Sequence, residues 1–269
     1  MTNPTLETRP ARAGLSAADV QGLADQLAAA RRDRRAIPQL SDAHPGLTIP
    51  DGYAVQRVAR SAAGTVLGWK LGVTSRAKQV QVGVDSPIYG FLAGEHALDA
   101  GEMLQVDQYI QPRGEPEIVL FFDHDLSGPR VSAADVVNAA SAVAVGIEVL
   151  DSRFENYRFT IPDVVADNAS AGRYVVGSPV PVAGIDLRLV GVVLEHNGDV
   201  VATASGAASL GHPAAAVAWM VRELAASGEG IAAGQLVLTG GLTAAVPLKP
   251  GDTLVATIDR VGSIELGCG

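Results

Sequence analysis

From Glu115 to Phe122 the chain reads Glu-Pro-Glu-Ile-Val-Leu-Phe-Phe, and no other feature narrows the possible folds as much. The unbroken apolar run from Ile118 to Phe122 reads as a buried strand. Successive side chains of a strand alternate between faces, so Glu115 and Glu117 look the same way, from the lip of a core. Pro116 between them removes a ladder donor, which suits the first residues of a strand or a bulge at a sheet rim. Glu148 repeats the pattern, following the apolar run Val143-Ala144-Val145-Gly146-Ile147. Like charges this close repel, and burying them unpaired is costly. A divalent cation resolves the conflict, because magnesium or manganese takes oxygen ligands and keeps positions open for substrate oxygens. The alternative is that Glu115 and Glu117 lie on the solvated face of an edge strand, with Glu148 paired to an arginine such as Arg153.

Composition excludes several partners. A net charge of −9 disfavours nucleic acid, whose phosphates require clustered Lys and Arg. The one basic cluster, Arg31-Arg32-Asp33-Arg34-Arg35, reads as a helix C-terminus complementing the macrodipole. The lone Cys268 excludes an intrachain disulfide, and His44, His96, His124, His196 and His212 are too scattered for a zinc site. No apolar run approaches membrane-spanning length, so no membrane association and a cytoplasmic location are expected.

Residues 1 to about 14 read as a loose tail. Ser16 and Asp19 form a capping-box signal for a helix over about 16–35, and Asp51 is expected to cap a second helix over 51–63. From Gly64 short apolar runs punctuated by glycine take over, which divides the chain into a helical region, 1–63, and a β-rich catalytic region, 64–269. Lys70 sits in the middle of an apolar strand, where a lysine either snorkels or serves the chemistry. Thr74 and Ser75 open a helical stretch, 76–82, and the segment from Asp85 to Leu92 reads as a turn-rich aromatic loop. Further elements are a helix over 132–142 capped by Ser132, a hairpin turning at Asn197-Gly198, a helix over 213–227, a strand over 235–239 running into Gly240-Gly241, and last strands ending near Ile258. Together they predict a mixed α+β fold around a rolled, mainly antiparallel sheet with an N-terminal helical region.

The stretches Gly68-Trp69-Lys70-Leu71-Gly72-Val73-Thr74-Ser75, Ser86-Pro87-Ile88-Tyr89-Gly90, Glu115-Pro116-Glu117, Glu148-Val149-Leu150-Asp151-Ser152-Arg153, Asp167-Asn168-Ala169-Ser170, Leu210-Gly211-His212-Pro213 and Thr239-Gly240-Gly241-Leu242-Thr243 are recognisable in combination. They resemble the hydratase/decarboxylase branch of the fumarylacetoacetate hydrolase superfamily, over roughly residues 15 to 266. The resemblance implies that Glu115, Glu117 and Glu148 hold Mg2+ or Mn2+ and that Lys70 is catalytic. It places Ser75, Ile88, Tyr89, Asp167, Ser170 and Thr243 near a small 2-oxo dicarboxylic acid. Hydratases of the branch carry an aspartate where this chain has Ile88, and an apolar residue cannot handle water or protons. That departure favours decarboxylation over hydration. Also implied are a homo-oligomer and a complex with a related hydratase, for which a catalytically silent chain could serve as scaffold.

Overall fold

The computed structural model describes residues 14–82 and 84–269, so the expected tail over 1–14 lies almost wholly outside the described residues. Helix α1, Ala17–Asp33, starts at a reciprocal capping box between Ser16 and Asp19 and ends with Arg31 and Arg32 in its last turn. A single helical turn, α2, spans Leu40–Ala43. Helix α3, Ile49–Ala62, begins earlier than expected: Thr48 is its cap, and Asp51 closes the box from the third position. Pro50 fits the first turn because no intrahelical partner exists there for its missing N–H.

The remaining elements are β1 Val66–Gly72, α4 Arg76–Val82, β2 Ile88–Ala93, β3 Ala97–Leu98, β4 Arg113–Phe122, β5 Leu126–Ser127, α5 Ala133–Ala139, β6 Ala140–Leu150, α6 Ile161–Ala166, β7 Ala171–Val176, β8 Val180–Pro181, β9 Gly191–His196, β10 Asp199–Ser205, α7 Pro213–Ala225, β11 Gly230–Ile231, β12 Leu236–Leu238, β13 Val246–Pro247, β14 Thr253–Ile258 and β15 Gly262–Gly267. Three expectations need correction. The helix expected over 132–142 stops at Ala139, and residues 140–142 already belong to β6. The aromatic segment after Asp85 is a loop only as far as Pro87; from Ile88 it is a fully buried strand, antiparallel to β1. The chain also continues past Ile258 into β15, which pairs with β14.

The main sheet runs β2-β1-β12-β4-β6-β7-β3, with β13 beside β4 and β8 beside β6. Only the β1–β12 and β3–β7 pairings are parallel, so the sheet is mixed, mainly antiparallel and curled. The second sheet, β10-β9-β14-β15, contains the expected hairpin, with Asn197 and Gly198 both at positive φ. Register divides the main sheet by face. Trp69, Leu71, Tyr89, Phe91, Ile118, Leu120, Phe122, Val143, Val145 and Ile147 belong to the principal core, together with Val217 and Met220 of α7. The opposite face carries Lys70, Glu115, Glu117 and Glu148, then the apolar cluster of Leu92, Val119, Ala144, Tyr174 and Leu238. Both faces of β4 are covered, which explains its unbroken apolar run.

Candidate metal centre and active site

Glu115 and Glu148 are direct cross-strand partners, and Glu117 is the next residue of β4 on the same face. One carboxylate oxygen of each lies within 4.8 Å of the others, and all three residues are buried. This rules out both alternatives for the glutamates: they are not a solvated face, and Glu148 does not meet Arg153, which is bonded to Asp167 instead. Pro116 is neither at the start of its strand nor in a bulge. It sits where β4 loses its neighbour, between β12 and β13, so no ladder donor is required there. The connecting loop crosses this gap: Thr239 N–H donates to Ile118 O, and Leu242 N–H donates to Pro116 O. The same loop turns the Gly240 N–H onto Glu117 Oε2 at 2.7 Å. A Cβ at Gly241 would lie 2.1 Å from the Glu115 carboxylate, so any side chain there displaces that carboxylate.

Two lysines face the carboxylates. Lys70, fully buried in β1, places Nζ 2.8 Å from Ala169 O and 2.9 Å from Glu148 Oε1; the latter is ion-pair distance without hydrogen-bond alignment. Lys78 on α4 donates to Glu115 Oε2 at 2.9 Å. Sequence reasoning missed Lys78. Its signal was positional: it stands three residues after Ser75, whose Oγ accepts the Lys78 N–H as α4 opens.

Burial, reinforced by the charges of Glu148 and Glu115, holds the Glu117 carboxyl well above the usual range. Burial raises Glu148 too, with Lys70 opposing. Burial works against the charge of Lys78, yet the Glu115 carboxylate, with Glu117 and Glu148 beyond it, lifts its pKa above the usual value. Glu117 Oε1 and both Glu148 oxygens have no hydrogen-bond partner. Buried carboxylate oxygens without donors, in an all-oxygen set short of one positive charge, fit a hard divalent cation such as Mg2+. Among the described residues this is the one such cluster, and no histidine is bonded to it. His96 is buried, accepts the Ala93 N–H at Nδ1 and is pushed down to about 3 by burial, so it is neutral.

The other expected residues divide. Ile88 lies on the Lys70 face, opposite Gly72, and packs with Ile161, Val164, Val165 and Ala169. Tyr89, one residue on, points the other way into the core and stacks on Tyr53 at 4.4 Å between ring centroids. Tyr89 and Phe91 therefore form no wall to the glutamates. Ser75 supports α4 beside Lys78, and Ser170 follows Ala169 in a turn at positive φ whose carbonyl accepts the Asp151 N–H. Asp167 is withdrawn from the site. Its carboxylate is taken by Arg153, and it lines a separate cavity of about 600 Å³ against α1 and α3. Burial pushes Asp167 up to about 6 despite Arg153. Thr243, on the crossing loop, turns its hydroxyl onto Ala244 O. Among the arginines in and around the motif stretches, Arg76 is exposed, Arg153 holds Asp167, and Arg173 bonds Tyr109 Oη and Glu95 O.

Comparison with known proteins gives a consistent picture. A family model for the fumarylacetoacetate hydrolase C-terminal region matches residues 62–267. The chain is 41% identical over 251 residues to a 4-oxalocrotonate decarboxylase of Pseudomonas sp. strain CF600, covering 91% of this chain and 95% of the relative. It is 36% identical over 247 residues to a 2-keto-4-pentenoate hydratase of Paraburkholderia xenovorans strain LB400, covering 90% and 92%. The solved 4-oxalocrotonate decarboxylase of Pseudomonas putida G7, complexed with magnesium and adipate, superimposes with a TM-score of 0.92 at 39% identity, covering 96% of this chain and all (100%) of the other.

Proposed function

The chain belongs to the fumarylacetoacetate hydrolase family, and from that premise we propose that it is a magnesium-dependent carboxy-lyase. The substrate proposed is 2-oxo-3-hexenedioate (4-oxalocrotonate), and the products are 2-hydroxypenta-2,4-dienoate and CO2, a step in catabolism of meta-cleaved aromatic rings. The observation that carries this reading is the convergence of Glu115, Glu117 and Glu148, with three oxygens lacking donors, beside the buried ammonium of Lys70. Similarity to decarboxylases along almost the whole chain, one of them solved with magnesium and a six-carbon diacid, supports it. Mn2+ would fit the same three carboxylates.

In this reaction the bond between C5 and C6 breaks, C6 leaves as CO2, and the electron pair passes through the C3–C4 double bond to the C2 oxygen, which gains a proton. When bound, the metal supplies a Lewis acid to the keto-acid oxygens, with Glu115, Glu117 and Glu148 as its ligands. Lys70 is a fixed cation on the same face. One of its protons is engaged by Ala169 O, leaving others to meet the C2 oxygen as its charge grows and to protonate the product. A preorganised donor of this kind stabilises the transition state more than the ground state. The leaving carboxylate loses its charge as CO2 forms, so apolar surroundings favour its departure; Ile88, Ile161, Val164 and Ala169 offer such a wall.

The hydratase relatives favour a second reading, in which the same centre binds a 2-hydroxydienoate and adds water. Against it, Ile88 offers no acid or base to handle that water. The deciding experiment incubates the purified protein, with Mg2+ and then with EDTA, separately with 2-oxo-3-hexenedioate and 2-hydroxypenta-2,4-dienoate, following CO2 release and loss of diene absorbance. Metal-dependent CO2 from the diacid is expected. Hydration without CO2 would establish the sister activity, and silence on both with no metal binding would favour a scaffold. Because the product is a hydratase substrate, association with a related hydratase, and of the chain with itself, belongs to the proposal. Co-purification of the two proteins and light scattering test these points.

A further inference from the structure

We propose that Lys78 is a substrate-binding residue: it holds the C1 carboxylate of the 2-oxo acid, exchanging Glu115 for that carboxylate when the metal centre fills. The inference rests on the metal-dependent reading above and goes beyond its ligands and Lys70. The two lysines differ in kind. Lys70 has a side chain 2% exposed and is anchored to Ala169 O, so it cannot leave its place. Lys78 is 31% exposed, bonds to no described group besides Glu115 through Nζ, and is carried on a short helix at the open side of the cluster.

The exchange follows from competition for one carboxylate. Lys78 Nζ is 2.9 Å from an oxygen of a residue assigned as a metal ligand. A divalent cation shared by the three glutamates weakens the hold of Glu115 on a neighbouring ammonium, and the flexible four-carbon stem of lysine lets that ammonium turn to another anion. The part of the substrate nearest the metal is the keto-acid end, so the anion within reach of Lys78 is the C1 carboxylate. The distal carboxylate, which must leave as CO2, would be held back by a cation beside it. C1 keeps its charge from substrate to product. The contact is therefore equally strong in the ground and transition states, and its loss should raise KM with little change in kcat.

The test uses the full chain, the variants Lys78→Met and Lys78→Arg, Mn2+ binding by electron paramagnetic resonance, and calorimetric titration of pyruvate, a 2-oxo acid with only the C1 carboxylate, into the Mg2+-loaded proteins. Lys78→Met should bind Mn2+ at least as tightly as wild type, because a competing cation has gone, while pyruvate binds about tenfold or more weaker. Lys78→Arg, which keeps the charge, should recover part of the pyruvate affinity. With 2-oxo-3-hexenedioate, KM should rise in Lys78→Met while kcat stays within a few-fold. Unchanged pyruvate affinity, or parallel loss of Mn2+ and pyruvate, would overturn the assignment and leave Lys78 as a structural prop. Failure of the wild-type protein to bind Mn2+ would instead sink the metal-centre reading itself.

Discussion

Replacing Glu117 by glutamine keeps the acceptor for the Gly240 N–H and removes one of the three charges at the centre. Magnesium-dependent turnover should fall at least about 100-fold, since loss of an actual ligand exceeds the usual effect of losing the group that orients one. In EDTA the variant should melt no lower than wild type, because a neutral amide avoids the cost that burial and the charges of Glu148 and Glu115 place on ionising Glu117. A lower melting temperature would mean that Glu117 is structural. For Lys70, substitution by methionine preserves the packing of a fully buried chain. It should cost about 10²–10³ in kcat while Mn2+ affinity changes less than tenfold; unchanged turnover would remove Lys70 from the mechanism. At this scale the sequence was most informative. Alternation put Glu115 and Glu117 on one face, and charges inside apolar runs marked Glu148 and Lys70. Lys78, Arg153 and Asp167 were illegible because their roles depend on which partner lies across space.

The loop between β12 and β13 controls the element scale. It interrupts the neighbour of β4 beside Pro116, turns an amide onto Glu117 and leaves room for Glu115 only because residue 241 has no side chain. In Gly241→Ala the added methyl meets the far end of a flexible side chain, so the fold should survive with its melting temperature nearly unchanged while Glu115 is displaced. Mn2+ affinity should fall about tenfold or more, and wild-type affinity would show that Glu115 is not a ligand. Capping boxes made α1 and α5 readable, and Asn197-Gly198 fixed the hairpin. Strand β2 was misread because Asp85-Ser86-Pro87 and Gly90 carry turn signals, whereas the burial that makes 88–93 a strand comes from partners distant in sequence.

For the whole molecule, the cluster makes stability depend on metal and pH together. The raised pKa of Glu117 means that the folded metal-free protein holds a proton which the unfolded chain, with an ordinary value near 4.5, gives up. Between those values the native state binds more protons, so metal-free stability should fall as pH rises above about 4.5. Mg2+ should cancel this loss. At a concentration 100 times its Kd, a ligand specific to the native state adds about 2.7 kcal/mol, on the order of 5–10 °C for a chain of this size. Scanning calorimetry of wild type and Glu117→Gln at pH 5 and pH 8, with Mg2+ or EDTA, checks both signs. Neutral His96 contributes the opposite slope equally in the two proteins, so a metal-free loss between pH 5 and pH 8 no larger in wild type than in Glu117→Gln would contradict the burial of Glu117. The mixed, mainly antiparallel sheet with early helices was legible as a class, but its strand order was not. The helical region is also less separate than composition implied, because Phe154 and Ala166 share a cluster with Leu23, Leu27 and Val55. Among the described residues, no helix is long and apolar enough to cross a membrane.

The division of β4 between two faces has a consequence for how such a protein can change. Side chains of Ile118, Leu120 and Phe122 serve the principal core and Val119 the apolar cluster on the opposite face, while Glu115 and Glu117 serve the centre, so the duty changes between the consecutive residues Glu117 and Ile118. In a saturation scan of 115–122, losses of turnover with abundance intact should therefore concentrate at 115 and 117, and losses of abundance at 118–122. Selection for a new reaction can then rewrite one set of positions while the other keeps the chain folded.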